Sequence, residues 1–388
     1  MNEFTKQDRT NINSCKWDEA RMEHNNPNLI PFWVADSDYK TAPCIMEALQ
    51  KRLDNGTFGY TFATSKYFET VVNWFNNNFG YKPYKDLIAI TGGVVNALYL
   101  MVNLFTKEGD NVVINPPVYN PFFDVIRNSN RHILESKLVR FKLDDEFFSY
   151  KIDFNDLEEK ISKAKIYILC NPHNPVGRAF TMEELNKIVK LCKKYDCILV
   201  SDEIHCDLYM EDTNYNSVGK FFNEYDKIVI CTAPSKTFNV AGLSNSNILF
   251  NNKDIFKKFR QEIANLSIED CIFGLVACEA GYTNGLDWVK KQRHHLTENR
   301  NLVYEFVKKN KLKVAKLEAT YLMWIDISSL KIKQEDIYQA LIDENILINM
   351  GTVYDKDSVG IIRFNIACSR EQLELGLKYL QNFVNKYR

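Results

Sequence analysis

The sequence predicts a layered α/β fold, in which a large domain with a mostly parallel sheet is joined to a smaller α+β domain. Between residues 87 and 250, short runs rich in Ile and Val alternate with amphipathic stretches. These runs are apolar throughout, which is typical of strands buried on both faces of a parallel sheet. After residue 285 the pattern changes to a long charged helix, strand-like runs and two further helices. We therefore expect a large domain over residues 46–284, and a small domain formed by residues 1–45 and 285–388.

The elements follow from local patterns along the chain. The predicted strands of the large domain are residues 87–90, 111–114, 166–170, 197–201, 228–231 and 247–250. A helix is predicted after Thr181, because Thr181 can cap it and Glu184 follows three residues later, the pattern of a capping box. In the small domain we expect helices over 288–309, 334–344 and 370–386, and strands over 320–327 and 360–367.

Residues 87–105 carry no charge and approach the length of a membrane span. The segment Thr91-Gly92-Gly93 and the polar Asn96 and Asn103 interrupt this stretch, which favours a strand, a glycine turn and a buried helix. The first nine residues are charged and contain no apolar run, so no secretory signal is predicted. We therefore expect a soluble, cytoplasmic protein.

Composition excludes several functional classes. Lys and Arg total 49 and Asp and Glu total 50, and this balance argues against nucleic-acid binding and against a polybasic membrane contact. The ten cysteines are scattered without a C-x-x-C pair, which predicts neither a zinc site nor a disulfide framework. We expect no bound metal.

Ligands in open α/β sheets bind beyond the carboxyl ends of the strands, and several motifs follow predicted strands here. The first is Thr91-Gly92-Gly93, where glycines let the backbone approach an anion and the following helix start, at Val94 and Val95, offers free N–H groups. A structural Gly-Gly turn is the alternative. The motif is neither G-x-G-x-x-G nor a Walker A loop, so NAD and ATP are not indicated.

Two further motifs carry an aromatic ring and an amide. Tyr119 follows a pair of prolines and could stack on a flat ring, although a core tyrosine is an equal alternative. Asn174 lies in an Asn-Pro-His-Asn-Pro string and could donate a hydrogen bond to a ligand oxygen, with an Asx turn as the alternative.

The last two motifs carry opposite charges. Asp202 follows a strand and could bind a cation or a protonated ring nitrogen, unless it only caps a helix or turn. Lys236 lies between hydroxyl and apolar residues, and a lysine in a pocket becomes a nucleophile or Schiff-base former. All of these motifs are expected along one sheet edge.

Taken together, these motifs resemble those of fold-type I pyridoxal-phosphate (PLP) enzymes, the aspartate-aminotransferase superfamily. Within it, the chain is similar to the cystathionine β-lyase group of the MalY/PatB type, over nearly its whole length. The motifs that carry the resemblance are Pro31-Phe32-Trp33-Val34-Ala35-Asp36, Phe58-Gly59-Tyr60, Pro116-Pro117-Val118-Tyr119, Asn171-Pro172-His173-Asn174-Pro175, Ser201-Asp202-Glu203-Ile204-His205, Ser235-Lys236-Thr237-Phe238-Asn239 and Arg363.

The resemblance implies a role for each candidate residue. Lys236 would hold the cofactor aldehyde and take the substrate Cα proton, Asp202 would keep the ring nitrogen protonated, and Tyr119 would stack on the ring. The other implied cofactor contacts are Asn174 at the ring hydroxyl, Val94, Val95, Ser235 and Thr232 at the phosphate, His205, and Tyr60 reaching the phosphate of a neighbouring subunit. The implied substrate contacts are Arg363 at the α-carboxylate, together with Trp33, Ala35, Tyr60 and Asn174.

Three positions depart from the related patterns. Ser244 stands where aspartate aminotransferases carry a phosphate-binding arginine, and His205 stands where the superfamily usually has a tyrosine. Ser37 replaces the methionine that is common in the lyase group, which leaves the substrate open.

The resemblance implies a PLP-dependent carbon–sulfur β-lyase that works as a homodimer with shared active sites. Its implied substrates are L-cystathionine or related cysteine S-conjugates, and its implied products are pyruvate, ammonia and a thiol. With cystathionine the thiol is homocysteine, which implies a role in methionine biosynthesis. An aminotransferase on the same scaffold is the alternative.

Overall fold

The structure is a computed structural model of the chain, and it describes residues 3–388. The strands of this part are β1 Ile30–Pro31, β2 Ile88–Thr91, β3 Asn111–Ile114, β4 His132–Glu135, β5 Val139–Lys142, β6 Phe147–Lys151, β7 Ile166–Cys170, β8 Ile198–Asp202, β9 Ile228–Thr232, β10 Ser246–Phe250, β11 Lys313–Ala315, β12 Leu322–Asp326, β13 Ile346–Leu347, β14 Asn349–Met350 and β15 Ile361–Asn365. The helices are α1 Ala20–Glu23, α2 Pro43–Asp54, α3 Ser65–Phe79, α4 Val94–Phe105, α5 Pro121–Asn128, α6 Phe154–Ile161, α7 Met182–Lys194, α8 Pro234–Thr237, α9 Lys253–Asn265, α10 Ile272–Asn284, α11 Leu286–Lys309, α12 Gln334–Asp343 and α13 Arg370–Tyr387.

A seven-stranded sheet in the order β2-β10-β9-β8-β7-β3-β4 confirms the predicted α/β fold. The strands from β9 to β4 in this order run parallel, and β10 runs antiparallel to both of its neighbours. All residues of β7, β8 and β9 are buried, as expected for strands covered on both faces. Each of the six predicted strands is present, with ends that differ by one residue at most.

The uncharged stretch over residues 87–105 folds as predicted. Strand β2 ends at Thr91, and after two glycines helix α4 begins at Val94 and buries most of its apolar side chains. Among residues 3–388, none of the helices combines the length and the apolar character needed to cross a bilayer. The capping box at Thr181 and Glu184 is also confirmed at the start of α7.

A second, six-stranded sheet has the order β14-β15-β12-β11-β6-β5. The hairpin β5–β6 comes from the range predicted as large domain, and β6 pairs in parallel with β11 of the predicted small domain. The second sheet therefore takes strands from both predicted ranges. The domain limits stay a prediction, and residues 1 and 2 of the small domain lie outside the described residues.

The hydrophobic core lies on both faces of the large sheet. One face packs against helices α4, α5 and α9 through residues such as Leu98, Phe122 and Phe259. The other face packs against α3, α7 and α10, and this part of the core continues to Trp324 and Phe364 of the second sheet. The continuous core holds the edge of the large sheet close to the second sheet.

Residues 290–295 of α11, which include several basic side chains, face solvent only in part. Lys290, Lys291 and His294 are exposed, but Gln292 and His295 are buried in α11. Because an α-helix has 3.6 residues per turn, two of these six positions face the core, and the charge pattern alone does not reveal this.

Candidate active site

A cavity of about 270 Å³ lies where β7, β8 and β9 end, and we call this side of the large sheet the carboxyl edge. Its wall combines strand ends, the start of α4 and the short helix α8. The lining residues are Ala35, Gly92, Gly93, Val94, Val95, Asn96, Tyr119, Cys170, Asn174, Asp202, Ile204, His205, Ala233, Ser235, Lys236, Ala241 and Asn245. Nine of the residues predicted from sequence therefore line one cavity.

Lys236 extends into the cavity from α8, which begins at Pro234 directly after β9. Its Nζ donates a hydrogen bond to the carbonyl oxygen of Ala35, at 2.6 Å. Burial lowers the pKa of the Lys236 amine, and the charge of Arg363 lowers it further, against the opposing charges of Asp36 and Asp202. A lysine with a lowered pKa is a better nucleophile and base at neutral pH.

Asp202 is the last residue of β8, and its carboxylate is buried at the cavity wall. Burial raises the pKa of Asp202 to about 7, although the backbone N–H of Ile204 donates to Oδ1 at 3.1 Å and lowers it. A buried carboxyl group gains most from a cationic partner. A protonated ring nitrogen is such a partner, so Asp202 fits the role predicted for it.

His205 and Tyr119 supply further polar atoms at the cavity. The His205 ring is buried, its Nδ1 has no hydrogen-bond partner among the described residues, and burial with the charges of Lys236 and Arg363 lowers its pKa to about 3. His205 is therefore a neutral ring that can still bond a ligand. Burial raises the pKa of Tyr119 to about 12, so Tyr119 is a neutral phenol.

The end of the cavity near α4 offers backbone and neutral polar groups. Gly92, Gly93 and the first residues of α4 line the cavity together with Ser235 and Asn245. Among the described residues of this lining, Lys236 is the one cationic side chain. Binding of an anion here would depend on the N-terminus of α4 and on hydroxyl groups. This arrangement fits a phosphate group that is bound without an arginine.

Arg363 lies in the middle of β15, and its guanidinium is held between both sheets. Nη1 donates to Oδ1 of Asn174 at 3.0 Å, and Nη2 donates to the carbonyl oxygen of Trp33 at 2.6 Å. The guanidinium also stacks over the ring of Tyr354, 4.7 Å from its centroid. Its Nε is buried without a partner among the described residues, so Nε and the second N–H groups of Nη1 and Nη2 are the donors left for a ligand.

Arg363 is not part of the cavity lining, and three more predicted residues lie apart from it. Thr232 is fully buried in β9, and the nearest partner of its hydroxyl is Sγ of Cys206 at 3.9 Å. The Trp33 indole packs beside Ala20 and the small-domain residues around it, so Trp33 offers its carbonyl rather than its ring. Tyr60 is 98% exposed.

The structure adds residues that the sequence reasoning missed. Asn245 precedes β10, whose start lies at the carboxyl edge because β10 is antiparallel. A search restricted to residues after strands cannot find it. Asn349 was missed as well, and its Nδ2 donates to the Trp33 carbonyl that also binds Arg363.

The chain also matches a known protein family. The model of the family described as aminotransferase class I and II matches residues 27–380. The chain belongs to this family. Its fold and its PLP dependence are thereby confirmed, since the cavity residues fit the cofactor and solved relatives are PLP-bound.

Individual relatives support the narrower resemblance to the MalY/PatB group. Cystathionine β-lyase PatB of Bacillus subtilis is 35% identical, with 98% of this chain and 99% of PatB covered. Cystalysin from Treponema denticola, solved with its pyridoxal 5'-phosphate cofactor, is 34% identical with a TM-score of 0.94, covering 99% of this chain and 98% of cystalysin. The PLP-bound C–S lyase from Staphylococcus hominis is 29% identical with a TM-score of 0.91, covering 99% and 98% of the two chains.

Proposed function

We propose that this protein is a PLP-dependent carbon–sulfur β-lyase, which cleaves L-cystathionine or a related cysteine S-conjugate into pyruvate, ammonia and a thiol. The observation that carries the proposal is the placement of Lys236 and Asp202 in one cavity with Arg363 beside it. This arrangement occurs in a chain whose relatives include cystathionine β-lyases and C–S lyases.

The residues divide the chemistry between them. Bound PLP supplies an electron sink for the charge left when the substrate Cα loses its proton. Asp202 would hold a proton at the ring nitrogen, because a cation there would stabilise its buried carboxylate. Lys236 would hold the cofactor through its Nζ, and its amine, when free, would take the Cα proton.

The substrate is held through its carboxylate. Arg363 can form a paired hydrogen bond with the α-carboxylate, which orients the Cα–H bond towards Lys236. With sulfur on Cβ, the electron pair from Cα would form a Cα–Cβ double bond as the C–S bond breaks and a thiolate leaves. Hydrolysis of the resulting enamine by water would give pyruvate and ammonia. Return of the proton to the cofactor instead would give transamination, the alternative on the same residues.

A homodimer with shared active sites is part of the proposal. Exposed apolar side chains lie on α2 and the loop after it, namely Met46, Leu53, Phe58, Tyr60 and Phe62. Apolar surface of this extent favours a protein partner. A second copy would cover it and bring Tyr60 to the phosphate end of its partner's cavity. We further propose a cytoplasmic location and a role in methionine biosynthesis.

Product analysis tests the function. The PLP-loaded protein is incubated with L-cystathionine, and pyruvate and free thiol are assayed together. Equal amounts of both are expected from β-elimination. Absence of both, with amino acids converted to their keto acids as the cofactor takes up the amino group, would establish the aminotransferase alternative.

A further inference from the structure

The segment over residues 33–38 connects β1 to α2 without regular secondary structure, and its carbonyl groups are bound by side chains. Two of these side chains are the cations of the proposed mechanism. Arg363 donates to the carbonyl of Trp33 and Lys236 donates to the carbonyl of Ala35, both at 2.6 Å. The position of this one segment therefore fixes where both cations lie.

Residues 3–19, which we call the N-terminal arm, hold this segment from the other side. Nη2 of Arg9 lies 2.7 Å from Oδ2 of Asp36, and Nη1 donates to the carbonyl of Ser37 at 2.8 Å. Nζ of Lys16 donates to the carbonyl of Asp36 at 2.8 Å. The arm thus contacts the residue that directly follows Ala35.

Asp38 fastens the arm to the fold. Its carboxylate is fully buried and accepts from Nζ of Lys16 at 2.7 Å, Nε1 of Trp17 at 2.8 Å, Nε2 of Gln372 at 2.7 Å and Nη1 of Arg9 at 3.1 Å. Hydrogen bonds from this many donors offset the desolvation of a buried carboxylate. Removal of one partner should therefore destabilise the folded state. The arm is therefore a fixed part of the structure beside the cavity.

The ion pair of Arg9 and Asp36 also lies within reach of the charge on Lys236. The charged or titratable groups that act on Lys236 are Asp36, Arg363, Asp202 and His205. Asp36 favours the charged form of Lys236 and so raises its pKa, against the larger effect of burial. Because Arg9 forms an ion pair with Asp36, we expect its positive charge to weaken this effect.

We propose that the N-terminal arm is a working part of the active site, in which Arg9 and Asp36 position segment 33–38 and set the electrostatic environment of Lys236. Arg9 and Asp36 are positioning residues, since they act through the carbonyls of the segment and through charge. This inference rests on the proposed function, because it assigns Lys236 and Arg363 the roles given above.

The test compares two variants that break the same ion pair from opposite sides. The pH midpoint of the visible absorbance of the PLP-bound protein is measured for Arg9→Gln and Asp36→Asn. Loss of the positive charge should raise the midpoint and loss of the negative charge should lower it, each by about 0.5 pH unit or more. Arg9→Lys keeps the charge and should return the midpoint towards that of the unchanged protein.

A matched control separates this effect from lost stability. Arg300 forms an ion pair with Asp212 at 2.7 Å, on helix α11 rather than on the arm, so Arg300→Gln should leave the midpoint unchanged. Melting curves identify any variant that fails to fold, and Asp36→Asn, which keeps the side-chain shape, then carries the test. Shifts in the same direction, or no shift, would overturn the inference. If the unchanged protein bound no PLP at all, the proposed function itself would fail.

Discussion

The two sides of the proposed active site, the cofactor side and the substrate side, are built in different ways. On the cofactor side, Asp202 ends the buried strand β8, and Ser235 and Lys236 follow the end of the buried strand β9 within four residues. On the substrate side, Arg363 and segment 33–38 meet across more than 300 residues of sequence, through side-chain contacts to peptide carbonyls. The cofactor side thus depends on local strand ends, whereas the substrate side depends on long-range packing.

Loss of Lys236 is expected to have the largest effect on the cofactor side. Lys236→Ala should abolish the visible absorbance of the bound cofactor and lower turnover by about 1,000-fold or more, because it removes both the covalent link and the base. The control Lys85→Ala removes a surface pair with Glu69 and should keep both properties. A full rate in Lys236→Ala would contradict the assignment of this side.

The buried carboxyl of Asp202 gives the cofactor side a pH dependence. Its pKa is about 7 in the folded protein against an ordinary value of 3.8, so the folded state binds more protons between these values and stability falls as pH rises. In cofactor-free protein, we compare the melting temperature of Asp202→Asn with that of the unchanged protein. The melting temperature of the variant minus that of the unchanged protein should be larger at pH 8 than at pH 5.

A second carboxylate provides the control for this measurement. Burial raises the pKa of Asp212, but the hydrogen bond and charge of Arg300 lower it more, so its pKa lies below 3.8 in the folded protein. Asp212 stays ionised at both pH values, and Asp212→Asn should show the same difference at each. A pH-independent difference for Asp202→Asn would mean that its carboxyl is solvated.

The substrate side is tested through its guanidinium. Arg363→Gln should raise KM for the amino-acid substrate by about 10–100-fold, as expected for charged hydrogen bonds to a carboxylate, and change kcat less. The visible absorbance of the cofactor should remain, because Lys236 and Asp202 are both present in this variant. Arg300→Gln serves as the control, and an unchanged KM in Arg363→Gln would assign carboxylate binding to other residues.

Substitution of Tyr60 is expected to have the smallest effect. It tests whether a second subunit completes the cofactor side. If the site is shared, Tyr60→Phe should speed PLP dissociation from the dimer by about 2–10-fold, the value of one hydrogen bond. Tyr84, another exposed tyrosine, gives the control Tyr84→Phe. Equal dissociation rates in all three proteins would count against the shared site.

The sequence predicted most of the large sheet because its strands are short, apolar throughout and separated by amphipathic helices. It did not reveal the second sheet in full. Strand β5 is mostly exposed, β6 buries three consecutive residues without alternation, and the partner strand β11 lies far along the chain. Pairing of this kind depends on packing between distant segments, which local patterns do not encode.

The same limit applies to the site. By itself, the sequence predicted that the residues of the cofactor side meet, because parallel strands bring the residues that follow them to one edge of the sheet. Only the tertiary structure decided that Thr232 is buried behind the cavity, that Trp33 contributes its carbonyl, and that Asn245 joins the wall from an antiparallel strand. It also decided that Arg9 reaches Asp36, since an ion pair between a terminal arm and a loop is set by the fold that brings them together.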